Sequence, residues 1–280
     1  MNAVGQSTTG GVYNHKSPVQ ESDDFLDQFG KATIQVYPDG FDKPFAAFKE
    51  ICGFFKAIGY AKGDAIRLKI DCNSKNFVML TMPSAKSVEN NRFGESFRRN
   101  LSKCFELSKH GHDILIQFNK PRNFIPLVSG WKGNNPDSDG NKHIEWINHI
   151  VLESDTTTLD EQRALLPILK PLLTAAVYTG KKSIHYWVRV DQVSRYYWEQ
   201  NSKSIMAHLF EYLCAAGVDC RIFDRSVLNT FSKFVRLPFM WRKVGEGRET
   251  VFREIELLYL NDNPCKISLK KNQNDIIQAR

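Results

Sequence analysis

No apolar run in this chain of 280 residues approaches the roughly 18 needed to cross a bilayer, so no membrane span and no membrane partner are expected. Its opening, Met1-Asn2-Ala3-Val4-Gly5-Gln6-Ser7, lacks the basic-then-apolar order of a secretion signal, which gives a cytoplasmic location as the expectation. The cysteines (Cys52, Cys72, Cys104, Cys214, Cys220, Cys265) include no pair at the short separation of zinc ligands and read as buried, reduced thiols. His110, His112, His143 and His149 likewise lack a spacing that would bind a metal from one element. There is no Gly-x-x-x-x-Gly-Lys-Ser/Thr phosphate loop, so a helicase motor is not expected within these residues. No internal repeat is visible.

What is present is a folded composition with a basic surface. Hydrophobic residues make up 42% and aromatic residues 12%, enough for a substantial core in one large domain or two modest ones. Lys plus Arg outnumber Asp plus Glu by 38 to 31, a net charge of +7, which is compatible with a polyanionic partner. Residues 1–22 and 263–280 are rich in small and polar side chains and are expected to be flexible tails around a folded segment 23–262.

Along that segment, Lys31 to Tyr37 alternates as a strand and ends at Pro38-Asp39-Gly40, after which Phe45, Phe48, Ile51, Cys52 and Phe55 follow helical spacing. Ala65 to Cys72 and Phe77 to Met82 read as a strand pair joined through Asn73 to Asn76. Phe93, Phe97, Leu101 and Phe105 recur every four residues, placing a helix over Asn91 to Leu107 with Arg92, Arg98, Arg99 and Lys103 on its other faces. Those cations are either a phosphate-binding surface or a solvated face. Asp113 to Phe118 reads as a strand. The loop from Asn119 to Asn141, with Lys120, Arg122, Trp131 and Lys132, reads either as a guide for a single nucleic-acid strand or as a variable insertion.

The chemistry concentrates later. Ile150-Val151-Leu152-Glu153-Ser154-Asp155 is an apolar strand that delivers two carboxylates two residues apart, hence on one face. Like charges held so close either share a proton or neutralise themselves on a metal. Thr156 to Gln162 is a polar turn and helix start leading into Arg163 to Leu169, with Pro167 and Pro171 limiting its length. Ala175 to Tyr178 and Ser183 to Val190 form a hairpin over Thr179 to Lys182, which puts Ser183 and His185 on one face and Lys181 and Lys182 at the tip. Val193 to Ala215 is the longest helix, ended by Gly217, and Val251 to Leu260 reads as a closing strand.

Taken in order, Glu153-x-Asp155, Gly180-x-Lys182-Ser183-x-His185, Asp224, Asn229 and Arg236-Leu-Pro238 resemble the motifs of the archaeo-eukaryotic primase superfamily, in particular the primase-polymerases of plasmids and phages. The resemblance covers roughly Asp113 to Leu260. Relatives often carry Gly-Gly where this chain has Gly180-Lys181, and Gly where it has Phe239.

The resemblance implies an α+β fold with a mostly antiparallel, RNA-recognition-like sheet carrying the site, beside an N-terminal α/β subdomain of about 23–125 and an active-site subdomain of about 126–262. It implies Glu153, Asp155 and Asp224 as ligands of a two-metal site taking magnesium or manganese. His185 would be catalytic and, with Lys182, Ser183 and Arg236, would contact the nucleotide phosphates. The implied activity is DNA primase or primase-polymerase nucleotidyl transfer on a single-stranded DNA template, using NTP or dNTP, with any replicative helicase on a separate chain or in a missing C-terminal portion. Two other readings remain open: a metal-dependent nuclease or nickase of a mobile element, and a non-catalytic nucleic-acid-binding module. Tyr196-Tyr197 lacks the paired histidines a nickase would need.

Overall fold

The computed structural model describes residues 34–71, 76–84, 92–121, 144–224, 231, 233–246 and 249–268. The expectations for the N-terminal tail, for the turn at 73–75, for most of the 119–141 loop, for Asn229 and for 269–280 lie outside the described residues.

The molecule is an α+β fold built on antiparallel sheets. A central sheet holds β5 (Trp146–Leu152), β6 (Leu173–Tyr178), β7 (Ile184–Ser194) and β11 (Glu256–Leu260) in the order β11-β6-β7-β5, antiparallel throughout. A second antiparallel sheet runs β3-β2-β4-β8, from β2 (Ala65–Ile70), β3 (Asn76–Thr81), β4 (Ile114–Gln117) and β8 (Phe234–Arg236). The third joins β1 (Ile34–Val36), β10 (Glu249–Glu254) and β9 (Trp241–Glu246), with β1 parallel to β10. Four α-helices accompany them among the described residues: α1 (Phe48–Ala57), α2 (Arg92–Lys109), α3 (Leu159–Leu169) and α4 (Arg195–Ala215).

The central sheet is buried on both faces, which is why β5, β6 and β7 read as continuous apolar runs rather than alternating ones. One face of β5–β7 gives Val151, Ala175, Val177 and Trp187 to a core shared with Phe54, Phe55, Phe97, Leu68, Ile116 and Trp241. Phe54 of α1 meets Trp187 edge-on, with ring centroids 5.3 Å apart. The other face gives Ile150, Leu152, Tyr186 and Val188 to a core closed by Leu169 of α3 and by Trp198, Ile205, Leu209 and Leu213 of α4. On α2 the four-residue repeat does what its spacing requires, burying Phe97, Leu101 and Phe105.

Several boundaries differ from the sequence reading. Val251 to Leu260 is two strands in two sheets, because Ile255 is fully buried and its amide is pinned to the Met240 carbonyl at 2.8 Å while its own carbonyl accepts from Phe239. Val193 belongs to β7, and α4 starts at Arg195 after Ser194, whose hydroxyl accepts from the Tyr197 amide at 3.2 Å. Across residue 125, β8 returns to pair with β4 and β10 with β1, with β9 alongside β10. The reason is that β2–β4 leaves the β4 edge open and β1 is too short to stand alone. Among the described residues no helix is long and apolar enough to cross a membrane.

The described start of the C-terminal segment is docked. Cys265 donates to the Pro171 carbonyl at 2.8 Å, and Ile267, 1% exposed, bridges β7 through Arg189 and Asp191. Ile267→Ala is therefore expected to lower unfolding free energy by about 2–5 kcal/mol in a urea titration. An unchanged midpoint would mean that this segment does not pack.

Candidate functional site

β5 and β7 are in register at Leu152 and Tyr186, so one step outward along both strands sets Glu153 opposite His185. Their side chains meet, with His185 Nε2 2.7 Å from Glu153 Oε2. The other carboxylate oxygen, Oε1, accepts from Lys233 Nζ at 2.9 Å. Lys233 leads into β8, so one carboxylate is clasped by a residue of the central sheet and by one entering the second sheet.

Only 14% of the Glu153 side chain is exposed. Burial pushes its pKa up, but the hydrogen bonds and charges of His185 and Lys233 outweigh burial and hold it down, at about 2 instead of 4.5. Glu153 is thus an ionised acceptor, and Nε2 of His185 carries the proton between them. Nδ1 of His185 is buried with no hydrogen-bond partner among the described residues.

The remaining motif residues take different positions. Asp155 is exposed and pairs with Lys182 across 3.2 Å, a solvated contact worth at most about 1 kcal/mol. Ser183 is buried against the turn, its hydroxyl 3.1 Å from that of Thr179, which in turn donates to the Ser183 carbonyl at 2.9 Å. Asp224 joins through its backbone, its amide donating to the Glu153 carbonyl at 2.8 Å. Arg236 stands apart from this cluster on β8, where its guanidinium forks onto Asp113 at 2.9 and 3.3 Å. The structure therefore gathers Glu153, Asp155, Lys182, Ser183 and His185 with the backbone of Asp224, and pairs Arg236 elsewhere.

Two residues that the sequence reading missed hold these loops. Lys233 gave no signal, being a single lysine far along the chain from the acid it pairs with. Gln162, a polar helix start by its sequence context, is fully buried. Its Nε2 is shared among the carbonyls of Ser154 (3.3 Å), Thr157 (3.1 Å) and Lys182 (2.9 Å), and its Oε1 accepts from the Ile184 amide at 2.7 Å. α3 is fixed for this by a capping box between Thr158 and Glu161. The loop after β5 and the β6–β7 hairpin are thus tied through one amide. At the hairpin, Gly180 has φ +77°, and a Cβ there would lie 3.3 Å from Arg242 Cβ. Arg242 also donates to the Thr179 carbonyl at 3.0 Å.

Oxygen donors suited to a hard cation are present in kind. As arranged, both Glu153 oxygens are engaged, one by the His185 imidazole and the other by the Lys233 ammonium. Among the described residues no group of three or more His, Cys, Asp or Glu side chains is disposed to hold a metal ion. His149, assigned no role from sequence, is a core residue whose pKa is lowered to about 3 by burial and then by Arg189.

Because the folded pKa of Glu153 lies below its ordinary value, its ionisation stabilises the fold above about pH 4.5 and that contribution is lost as pH falls through about 2. Glu153→Gln is expected to be less stable than the parent at neutral pH, with the two stabilities converging as acid is added; parallel acid-unfolding curves would contradict the pairing. Gln162→Ala, which strands buried backbone groups in both loops, should cost about 1–3 kcal/mol in thermal or denaturant unfolding.

No protein-family model matches the chain, and no curated protein matches it. Among solved structures it is similar to the primase RepB′, at 13% identity and a TM-score of 0.43 over 79% of this chain and 59% of that one. It is also similar to the AEP domain of the cyanophage S-2L primase-polymerase, at 14% identity and a TM-score of 0.40 over 76% of this chain and 89% of that one. The chain thus spans 59% of the length of the RepB′ structure.

Proposed function

We propose that the chain is a nucleotidyltransferase of the primase-polymerase type, extending or synthesising a primer from NTP or dNTP on a single-stranded DNA template. The observation that carries the reading is the meeting of Glu153 and His185, 2.7 Å apart at neighbouring strand ends, with Lys182 and Ser183 on the adjoining turn and the Asp224 backbone bonded to Glu153. Three chain segments separated by long intervals deliver, to one end of one sheet, the residue types that polyphosphate chemistry uses.

In this reading Glu153, Asp155 and Asp224 would hold magnesium or manganese, which would supply neutralisation of the charge that develops on the phosphates. The protein's own cations do complementary work. Lys182 sits exposed at the tip, where its weak pairing with Asp155 leaves it free to exchange onto an incoming phosphate. His185 keeps its proton on Nε2 through Glu153, and Lys233 fixes that carboxylate from the opposite side. Arg236 contributes to nucleotide binding in this scheme only by leaving Asp113.

A second reading draws on a specific observation: with Glu153 clasped by Lys233 and His185 and Asp155 paired to Lys182, the acids are already neutralised, as suits a nucleotide- or DNA-binding module without chemistry. Incubation with single-stranded template, labelled nucleotides and magnesium or manganese separates the two. Products longer than the input primer are expected; shortened products would indicate a nuclease, and unchanged DNA the binding module. Asp155→Ala is expected to lower incorporation by at least roughly 100-fold with little change in DNA affinity. For His185→Ala the expected effect is a raised nucleotide KM, and an unaltered KM with normal turnover would remove it from phosphate binding.

A further inference from the structure

α1 has two faces. Ile51, Phe54 and Phe55 point into the core, whereas Lys49, Cys52, Gly53 and Lys56, at helical spacing on the opposite side, line a cavity of about 600 Å³. Tyr60, Ala61, Lys62, Met82, Pro83 and Ser84 complete its described wall. The volume lies within the range of about 300–1,000 Å³ typical of small-molecule sites.

The lining is chemically divided. Met82 and Pro83 are buried apolar groups, and burial pushes the Cys52 thiol up to about 11, leaving it uncharged and unreactive. Lys49, Lys56 and Lys62 are exposed, and no acid is among the described lining residues. Among the described residues Lys56 pairs with the exposed Asp262, across 3.9 Å. Lys49 and Lys56 stand two helical turns apart, about 10 Å along the axis, so the positive charge is spread over a length rather than focused at a point. One carboxylate would satisfy one ammonium; a chain of phosphates meets all three. The Tyr60 side chain is 3% exposed, and its hydroxyl has no hydrogen-bond partner among the described residues. Gly53 is not demanded by packing, since a Cβ there would rest 3.6 Å from Leu260 Cδ2, an ordinary contact. A glycine inside a helix without a steric reason keeps the floor of the cavity open.

We propose that this cavity is a nucleoside polyphosphate site, distinct from the Glu153 cluster, holding the base against Met82, Pro83 and Tyr60 and the phosphates between Lys49, Lys56 and Lys62. The proposal is independent of the reaction assigned to Glu153. On the core side of α1, behind the cavity, Phe54 packs on Trp187, two residues from His185 on the same face of β7.

The test is calorimetric titration of the full chain with ATP, inorganic tripolyphosphate and a lysophosphatidate, without divalent ions. The expected result is ATP binding that weakens by at least roughly tenfold both in Lys49→Glu/Lys62→Glu and in Ala61→Trp, which fills the chamber from an exposed position. His185→Ala should leave this binding class in place, which separates it from any nucleotide held beside Glu153. The proposal is overturned if ATP affinity is unchanged in both cavity variants while their melting temperatures match the parent. It is equally overturned if tripolyphosphate binds as tightly as ATP, because the apolar chamber then does nothing, or if lysophosphatidate binds and ATP does not.

Discussion

A carboxylate with only 14% of its surface in water stays ionised only where hydrogen-bond donors and positive charge reach it, and at Glu153 they come from two sheets. His185 arrives from β7 beside it, and Lys233 arrives from the chain that enters β8. The electrostatic demand of one side chain therefore fixes how the central and second sheets meet at this end. Removing one partner of such a buried pair typically costs about 3–5 kcal/mol, far more than any exposed ion pair here would. The Asp224 amide, bonded to the Glu153 carbonyl, secures the same junction through the backbone.

This divides the site into an inner part that is held and an outer part that is not. Glu153, His185 and Lys233 form short contacts in partial or full burial, and their geometry is set before any ligand arrives. Asp155 and Lys182 are both more than half exposed and pair loosely at 3.2 Å, so water and ions compete for them at little cost. A polyanion approaching this end meets the exposed ammonium first and the buried imidazole afterwards. Gln162 is what makes such a division workable, since it holds the loop bearing Asp155 and the turn bearing Lys182 at a fixed separation without using any charged group.

How much of this was legible in the sequence follows from the range of the forces concerned. Local periodicity was enough for α1, α2 and α4, for the β2–β3 pair and for the β6–β7 hairpin, because each depends on spacing within a few residues. The same logic put Glu153 and His185 on strand faces, though it could not tell that those faces meet. Lys233 and Gln162 act on partners far away in sequence or on backbone groups, and neither leaves a periodic trace. The split at Ile255 was hidden for a similar reason: two strands separated by one buried residue alternate as a single strand does, and only their partners in different sheets distinguish them. Ile267 sits in an alternation, Cys265-Lys266-Ile267-Ser268-Leu269, too short among the polar residues around it to stand out, yet it is only 1% exposed.

The two positions where the motif resemblance has glycine but this chain has none show what local geometry each turn requires. At the hairpin, the positive dihedral falls on Gly180 alone, and Lys181 is not among the described residues with positive φ, so a second glycine is unnecessary for the turn. After Arg236-Leu237-Pro238 the left-handed dihedral is still there, at φ +68°, but it is carried by Phe239. A bulky residue in that region costs about 1–3 kcal/mol, and it persists only where surrounding contacts exceed that cost. Phe239 packs against the core that Trp187 and Trp241 share, and its amide donates to the Ile255 carbonyl at 2.7 Å. Packing has thus replaced backbone freedom as the means of making the turn. The turn itself could not be given up, because it carries the chain from β8, just after Lys233, into β9, whose Arg242 supports the hairpin bearing Lys182 and Ser183.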